Sequence, residues 1–407
     1  MLFNILAKFA TSQPYYLKIL YLHQYFKTPQ EGGAIRSYYL ATAMAAAGHR
    51  VELISGWNNR WEETKAINGF ILYYVPVAYS NQLTYRQRKS SFLNYLKQAR
   101  KKIEQLGKFD LAYVSSTPLT IGLLALYLKW IKRTPYVFEI RDLWPEAPYQ
   151  LGAISFWQYR GLKFLEKILY QQAAGVVALS PPIQQAVNRL APRTPTLLAP
   201  NMADTEYFNQ PATVNLPLHS QNTFGKFIIS YTGAAGPANG LEALVEAAEA
   251  CQAAQLPVLF LVMAEGSELA KLHRQAKDLN NLKFLPYGSK EEAKACLQMS
   301  DAVYVSFAQH PVLQSCSPNK LFDGLAAGKL IITNTAGWLK ELVENNGCGF
   351  YVGKNQSEEF IMHTKLYIEN EKLLQQAQEN ARQLAIRQFS RDLVSDSVLK
   401  FLPNICK

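Results

Sequence analysis

Cysteine is scarce: the 407 residues hold five, Cys251, Cys296, Cys316, Cys348 and Cys406, odd in number and scattered. None forms a C-x-x-C pair or a cluster with histidine, so the expectation is neither a disulfide framework nor a zinc site. Long apolar runs are missing too. A spanning helix needs about 18 consecutive apolar residues, and the opening segment, MLFNILAKFATSQPYY, is already broken by Asn4 and Lys8. The chain is therefore expected to have no membrane span and no cleaved signal peptide, and to work in a reducing, cytoplasmic compartment. Short internal repeats and low-complexity tracts are also absent. Acidic residues are outnumbered, 31 against 42 Lys plus Arg, which leaves a net charge of +11. That excess suits a polyanionic partner: nucleic acid, a phosphorylated substrate or an anionic lipid surface.

What is present is enough apolar material for two cores. Hydrophobic residues are 49% and charged ones 18% of the chain, which excludes a disordered polymer. At roughly 100 to 200 residues per domain, the length predicts two domains. LKILYLHQYF at 17–26 reads as a strand, PQEGGAIR as a glycine loop, YYLATAMAAAGH at 38–49 as a helix closing at Gly48, and VELISG as a second strand. FILYYVPV, LAYVSS, YVFEIR and GVVALS continue the strands, with helical patterns between several of them. Strands alternating with helices predict a parallel sheet covered on both faces. The proline-rich stretch 194–226 reads as linker, after which FIISYTG restarts the same alternation. The expected division is an N-terminal extension (1–16), a first α/β domain (17–200), a linker (201–226), a second α/β domain (227–385) and a C-terminal helix (386–407) packing back on the first domain. Ligands of such sheets bind beyond the carboxyl ends of the strands, so chemistry belongs in the loops that follow strands.

Four loops are candidates. Gly32 and Gly33 join the first strand to the first helix, where absent side chains let a phosphate approach backbone N–H groups; a plain tight turn fits as well, and the motif is not G-x-G-x-x-G. Arg141 and Asp142 follow the strand YVFEI, placed either for a substrate hydroxyl or as a structural ion pair. The loop TGAAGPANG holds Gly233, Gly236 and Gly240, with Asn239 as its side-chain donor. In SCSPNKLFDGLAAG, Ser317 and Pro318 are expected to start a helix with Asn319 and Lys320 in its first turn, a spot suited to diphosphate. Asp323 shares a helix face with Lys320, one turn below, where a carboxylate can accept hydrogen bonds from a ribose diol. A capped helix with a surface Lys–Asp pair is the simpler alternative.

Seven basic residues and no acidic one lie between 80 and 103, interleaved with Tyr85, Phe92, Leu93, Tyr95 and Leu96. The pattern fits an amphipathic helix on an anionic membrane, or a solvated helix face. LTIGLLALYLKWIKR at 119–133 is too short to span and reads as a core helix or an interfacial one. Nothing resembles a helix-turn-helix or OB pattern, so no nucleic-acid partner is expected.

In order along the chain, LHQYFKTPQEGGAIRSYYLATAMAAAGHRVELISG, RDLWPE, LAPNMADTEYF, TGAAGPANGLEALVEAA and SPNKLFDGLAAGKLIITNTAGWLKELVENNGCGF resemble a known family. It is the retaining, nucleotide-sugar-dependent glycosyltransferases of family 4, in the branch of L-fucosamine, O-antigen and capsule polysaccharide transferases. The resemblance covers 17 to about 390. It implies a GT-B fold, two Rossmann-like domains facing a cleft, and transfer of a hexosyl or N-acetylhexosaminyl group from a UDP- or GDP-linked donor without a metal. The implied acceptor is a saccharide on a polyprenyl diphosphate, at the inner face of the plasma membrane. Asp323 falls on the family's ribose-binding acid, and Ser317, Asn319, Lys320, Leu321, Gly233, Asn239, Gly32 and Gly33 on its donor-binding segments. Lys320, Arg141 and Asp142 are the implied catalytic set.

This chain also departs from the pattern. Ser315 stands where members commonly carry an acid, Ala234 and Asn239 where many have Arg and Lys on the diphosphate, and Arg141 where many have His. Lys320 is then the main cation expected at the leaving diphosphate. A nucleotide-sugar epimerase or phosphorylase of the same fold, and a nucleotide-sugar-binding partner of weak activity, are the alternatives.

Overall fold

A computed structural model of the chain describes residues 16–29, 31, 35–78, 85–216 and 223–405. Gly32 and Gly33 lie outside these residues, as do nearly all of the N-terminal extension and Cys406. The other four cysteines are free and buried.

The first sheet has eight strands: β1 (Lys18–Leu22), β2 (Arg50–Trp57), β3 (Glu63–Ile67), β4 (Phe70–Pro76), β5 (Leu111–Ser115), β6 (Tyr136–Ile140), β7 (Gly175–Ala178) and β8 (Thr196–Leu198), in the order β3-β4-β2-β1-β5-β6-β7-β8. All pairings are parallel except β3 with β4. The central strands β5 and β6 are buried at every position, as expected of a sheet with helices on both faces. Two differences from the sequence reading stand out. Strand β3 was not anticipated; it closes an antiparallel hairpin through Asn68 (φ 41°) and Gly69 (φ 87°), both in the left-handed region such two-residue turns require. Thr196–Leu198, assigned to the linker stretch, pairs with β7 because its backbone completes the sheet edge.

The second sheet has six parallel strands, β9 (Phe227–Ala234), β10 (Val258–Glu265), β11 (Leu282–Leu285), β12 (Ala302–Val305), β13 (Leu330–Thr333) and β14 (Gly349–Tyr351), in the order β11-β10-β9-β12-β13-β14. Strand order reverses between β1 and β5 in one sheet and between β9 and β12 in the other, and open sheets bind ligands at such points.

The halves are bolted together by specific contacts. The Nδ2 of Asn201 donates to the carbonyl of Ser317 at 2.6 Å, and the Ser180 hydroxyl to the carbonyl of Ser315 at 2.6 Å. The chain then returns: the helix Arg391–Ile405 buries Val394, Val398 and Leu402 among Leu17, Ile19 and Tyr21 of the first sheet. The segment 119–133 supplies the helix Gly122–Trp130, which buries Leu124, Ala125, Leu126 and Leu128 yet leaves Leu123 exposed. It is thus a core helix with an apolar outer edge. No helix among the described residues is long and apolar enough to cross a membrane.

Candidate active site

Between the carboxyl ends of the two sheets lies a cleft of about 370 Å³. One wall comes from the second sheet: Thr232, Gly233 and Ala234 at the end of β9, Phe307 after β12, and Asn319, Lys320 and Asp323 on the helix Asn319–Ala326. The other comes from the first helix, Arg36–Ala46, through Arg36 and Tyr39, with Asp204 at the junction. Gly240 shows why this loop needs glycine: at φ +56°, a Cβ there would stand 2.7 Å from the backbone N of Ala308. The loops after β9 and β12 therefore touch backbone to backbone, and this fixes the cleft wall.

Lys320 and Asp323 share the cleft-facing side of their helix. The Lys320 ammonium lies 3.9 Å from the centre of the Tyr231 ring and donates to the Tyr231 hydroxyl, which in turn donates to the carbonyl of Ala234 at 2.6 Å. A neutral phenol orients this lysine, and among the described residues no carboxylate pairs with it. Burial pushes its ammonium down to about 7. Asp323 moves the other way: burial, opposed by Lys290 and reinforced by Asp204, pushes its carboxyl up to about 7. The helix start has Pro318 at its N-cap and no side-chain cap. Pro318, Asn319 and Lys320 line the cleft, so the N-terminal end of this helix borders the same space as the ammonium, and helix N-termini favour anions.

At the junction, Asp204 accepts from the Tyr39 hydroxyl, from Lys290 at 3.2 Å and from Arg391 at 3.5 Å. One carboxylate thus ties together the first helix, the linker, the helix Lys290–Met299 and the C-terminal helix. The sequence reading gave Asp204 no role, although D-T-E-Y is a recognisable helix start, and Asp204 Oδ1 does accept from the backbone N of Tyr207 at 3.3 Å.

Phe307 also borders a second cavity, of about 390 Å³, lined by Phe92, Leu143, Trp144, Leu313, Ser315 and Asp142. Asp142 accepts from the Cys316 thiol at 3.7 Å, and burial raises its carboxyl above the usual range. The two cavities set a chamber lined by charges of both signs, Arg36, Lys290 and Lys320 with Glu31, Asp204 and Asp323, beside a more apolar one whose described lining holds one carboxyl, Asp142.

The expected residues therefore divide. Lys320, Asp323, Asn319, Gly233 and Asn239 meet in the first cavity, and Asp142 stands in the second. Three do not reach either space. Arg141 turns into the first domain, donating to Ser115 at 2.8 Å, Glu139 at 3.1 Å and Ser37 at 2.6 Å, because the buried Glu139 draws it inward. Ser317 does not cap the helix; its hydroxyl accepts from the backbone N of Asn201 at 3.3 Å, so it joins the domains. Leu321 is fully buried in the core beneath the helix, because it falls on the face opposite the cleft. Among the described residues no three His, Cys, Asp or Glu side chains group as metal ligands.

Comparison with known proteins fits this geometry. Residues 31–202 match the Glycosyl transferase 4-like domain, and residues 219–384 match Glycosyl transferases group 1. A segment of 105 residues is 31% identical to the colanic acid biosynthesis glycosyl transferase WcaI of Escherichia coli (strain K12), and the match spans 25% of this chain and 25% of that protein. HepE of Anabaena, solved with UDP-glucose, superposes with a TM-score of 0.67 at 18% identity over 96% of this chain and 100% of its own. WaaG, a glycosyltransferase involved in lipopolysaccharide biosynthesis, gives 0.66 at 14% identity over 93% and 98%. The structural likenesses show the fold, and the two family matches jointly cover the first sheet apart from β1, the whole second sheet, and Arg36, Tyr39, Lys320 and Asp323 of the cleft. The chain belongs to the family 4 glycosyltransferases of the GT-B fold.

Proposed function

We propose that this chain transfers a hexosyl or N-acetylhexosaminyl group from a nucleoside-diphosphate sugar to a lipid-linked saccharide, with retention, in cell-surface polysaccharide biosynthesis. The observation that carries the reading is Lys320: a cation with no carboxylate partner among the described residues, at the start of a helix without a side-chain cap and one turn from Asp323. The diphosphate sits against the ammonium and the helix N–H groups, and Asp323 accepts the ribose hydroxyls. The acceptor hydroxyl oxygen bonds to the anomeric carbon as the bond from that carbon to the phosphate oxygen breaks. The acceptor proton passes to the departing phosphate, so charge develops where Lys320 already stands. Asp142, in the adjoining cavity, orients the acceptor hydroxyl. No step in this scheme needs a metal. UDP is the first base to test, since the HepE relative was solved with UDP-glucose.

A lipid-borne acceptor is supported by where the charge lies. The helices Tyr85–Leu106, Gly122–Trp130 with its turn 131–133, and Phe156–Gln172 hold thirteen of the Lys and Arg residues and two Glu, so the rest of the chain balances to zero. Trp157 (81% exposed) and Phe164 (69%) stand out from this basic layer, as side chains of an interfacial surface do. The layer suits the anionic inner face of the plasma membrane. An epimerase would place histidine bases in the cleft, and none of the described residues lining it is histidine.

The test is a transfer assay with nucleotide sugars and a polyprenyl-diphosphate-linked saccharide, reading released nucleoside diphosphate and the anomeric configuration of the product by NMR. Release that depends on acceptor, with the donor's configuration kept, is expected. Inversion, or epimerised free sugar, would refute the reading.

A further inference from the structure

Arg36 begins the first helix and forms part of the cleft wall that faces Lys320, with only 2% of its surface exposed. Its Nε donates to Glu139 at 2.9 Å and its Nη1 to the carbonyl of Pro200 at 2.5 Å, while Nη2 is buried with no hydrogen-bond partner. A guanidinium presents its donors in a rigid fork, and leaving one buried and unmade is costly.

The charges around it give an independent reason to expect an anion. Glu139 accepts from Tyr113 at 2.7 Å, from Ser115 at 2.7 Å and from the Nε of Arg141 at 3.1 Å as well as from Arg36. Two guanidinium groups thus share one carboxylate, and the neighbouring His23 is held neutral by its burial. The buried cluster carries a net positive charge at the cleft wall, a costly arrangement without a counter-ion. On the facing wall, Ala234 and Asn239 line the cleft without bringing a charge to it.

We propose that Arg36 is the second cation of the donor diphosphate subsite, with Nη2 donating to a diphosphate oxygen opposite Lys320. Glu139 and the Pro200 carbonyl hold the other two nitrogens, so the fork is set before the anion arrives. One cation of the subsite then comes from the first domain, Arg36, and one from the second, Lys320. The diphosphate then bridges both walls, and its binding favours closure of the cleft. This inference rests on the donor reading above and deepens it.

The test is titration calorimetry with inorganic pyrophosphate, uridine and UDP on the full chain. Two variants are used: Arg36→Lys, which keeps a cation beside Glu139 but loses the fork, and Arg36→Met with Glu139→Gln, which removes both charges together. Pyrophosphate and UDP are expected to bind about tenfold or more weakly in the double variant, and measurably more weakly in Arg36→Lys, with uridine unchanged. Wild-type affinity for pyrophosphate in either folded variant overturns the role of Arg36 alone. A wild-type chain that binds neither pyrophosphate nor UDP or GDP overturns the donor reading beneath it.

Discussion

Lys320 and Asp323 sit one helical turn apart, and burial moves both towards about 7 from opposite sides. The binding form, ammonium with carboxylate, is therefore most populated near neutrality. Donor affinity should fall as pH rises above 7, where Lys320 loses its proton, and fall again below 7, where Asp323 gains one. Titrations across pH 5.5–9 check this. Lys320→Met should flatten the alkaline limb and Asp323→Asn the acid limb, and a flat wild-type profile would refute both assignments. Binding at pH 8 should take up a proton, read as a dependence of the calorimetric enthalpy on the buffer's ionisation heat. Lys320→Ala should lower turnover by about 100- to 1,000-fold, the range for loss of one group at the developing charge, with an unchanged circular dichroism spectrum. Both residues were legible in S-P-N-K-L-F-D because helical spacing alone puts them on one face. Arg36 was not, since its partner Glu139 is 103 positions away and only the sheet brings them together. Arg141 misled for the same reason: next to Asp142 in sequence, it points the other way, towards Glu139.

Elements were read best where a buried run or a helical stripe was long. Strands β5, β6 and β9 are apolar runs that parallel sheets bury on both faces, so their position followed from composition. Strand β3 was missed because Glu63–Ile67 is largely exposed and charged, although Asn68–Gly69 before Phe70 is the two-residue turn signal that marks a hairpin. The helix Asn319–Ala326 carries Asn319 and Lys320 in its first turn, as its sequence predicts, but Ser317 lies outside it because the domain junction takes its hydroxyl. The loops after β9 and β12 are held by the close approach at Gly240. Gly240→Ala places a Cβ against the Ala308 backbone in a strained conformation, so it should cost about 1–3 kcal/mol of stability. Denaturant unfolding would show it, and a variant as stable as the parent would mean that the loops are not in register as described.

At the scale of the whole molecule, the +11 charge resolves into one basic helical layer on an otherwise balanced chain. Replacing Arg86, Arg88, Lys89, Lys97, Arg100, Lys101 and Lys102 by Ser should abolish most sedimentation with anionic vesicles, at about 1 kcal/mol per basic residue near the surface. Retained sedimentation would remove the membrane from the account. The two-domain layout was readable from the restart of the strand and helix alternation after residue 226. The junction through Asp204 was not, because it joins four segments that sequence keeps apart. The central claim, a nucleoside-diphosphate sugar held between the two sheets by Lys320 and Asp323, is tested most directly by thermal unfolding against a panel of UDP- and GDP-linked sugars. A ligand that binds only the folded state raises the midpoint. At least one donor should raise it in the wild-type chain and fail to do so in Lys320→Ala with Asp323→Ala; a midpoint that no nucleotide sugar moves, or that moves equally in the double variant, would contradict the account.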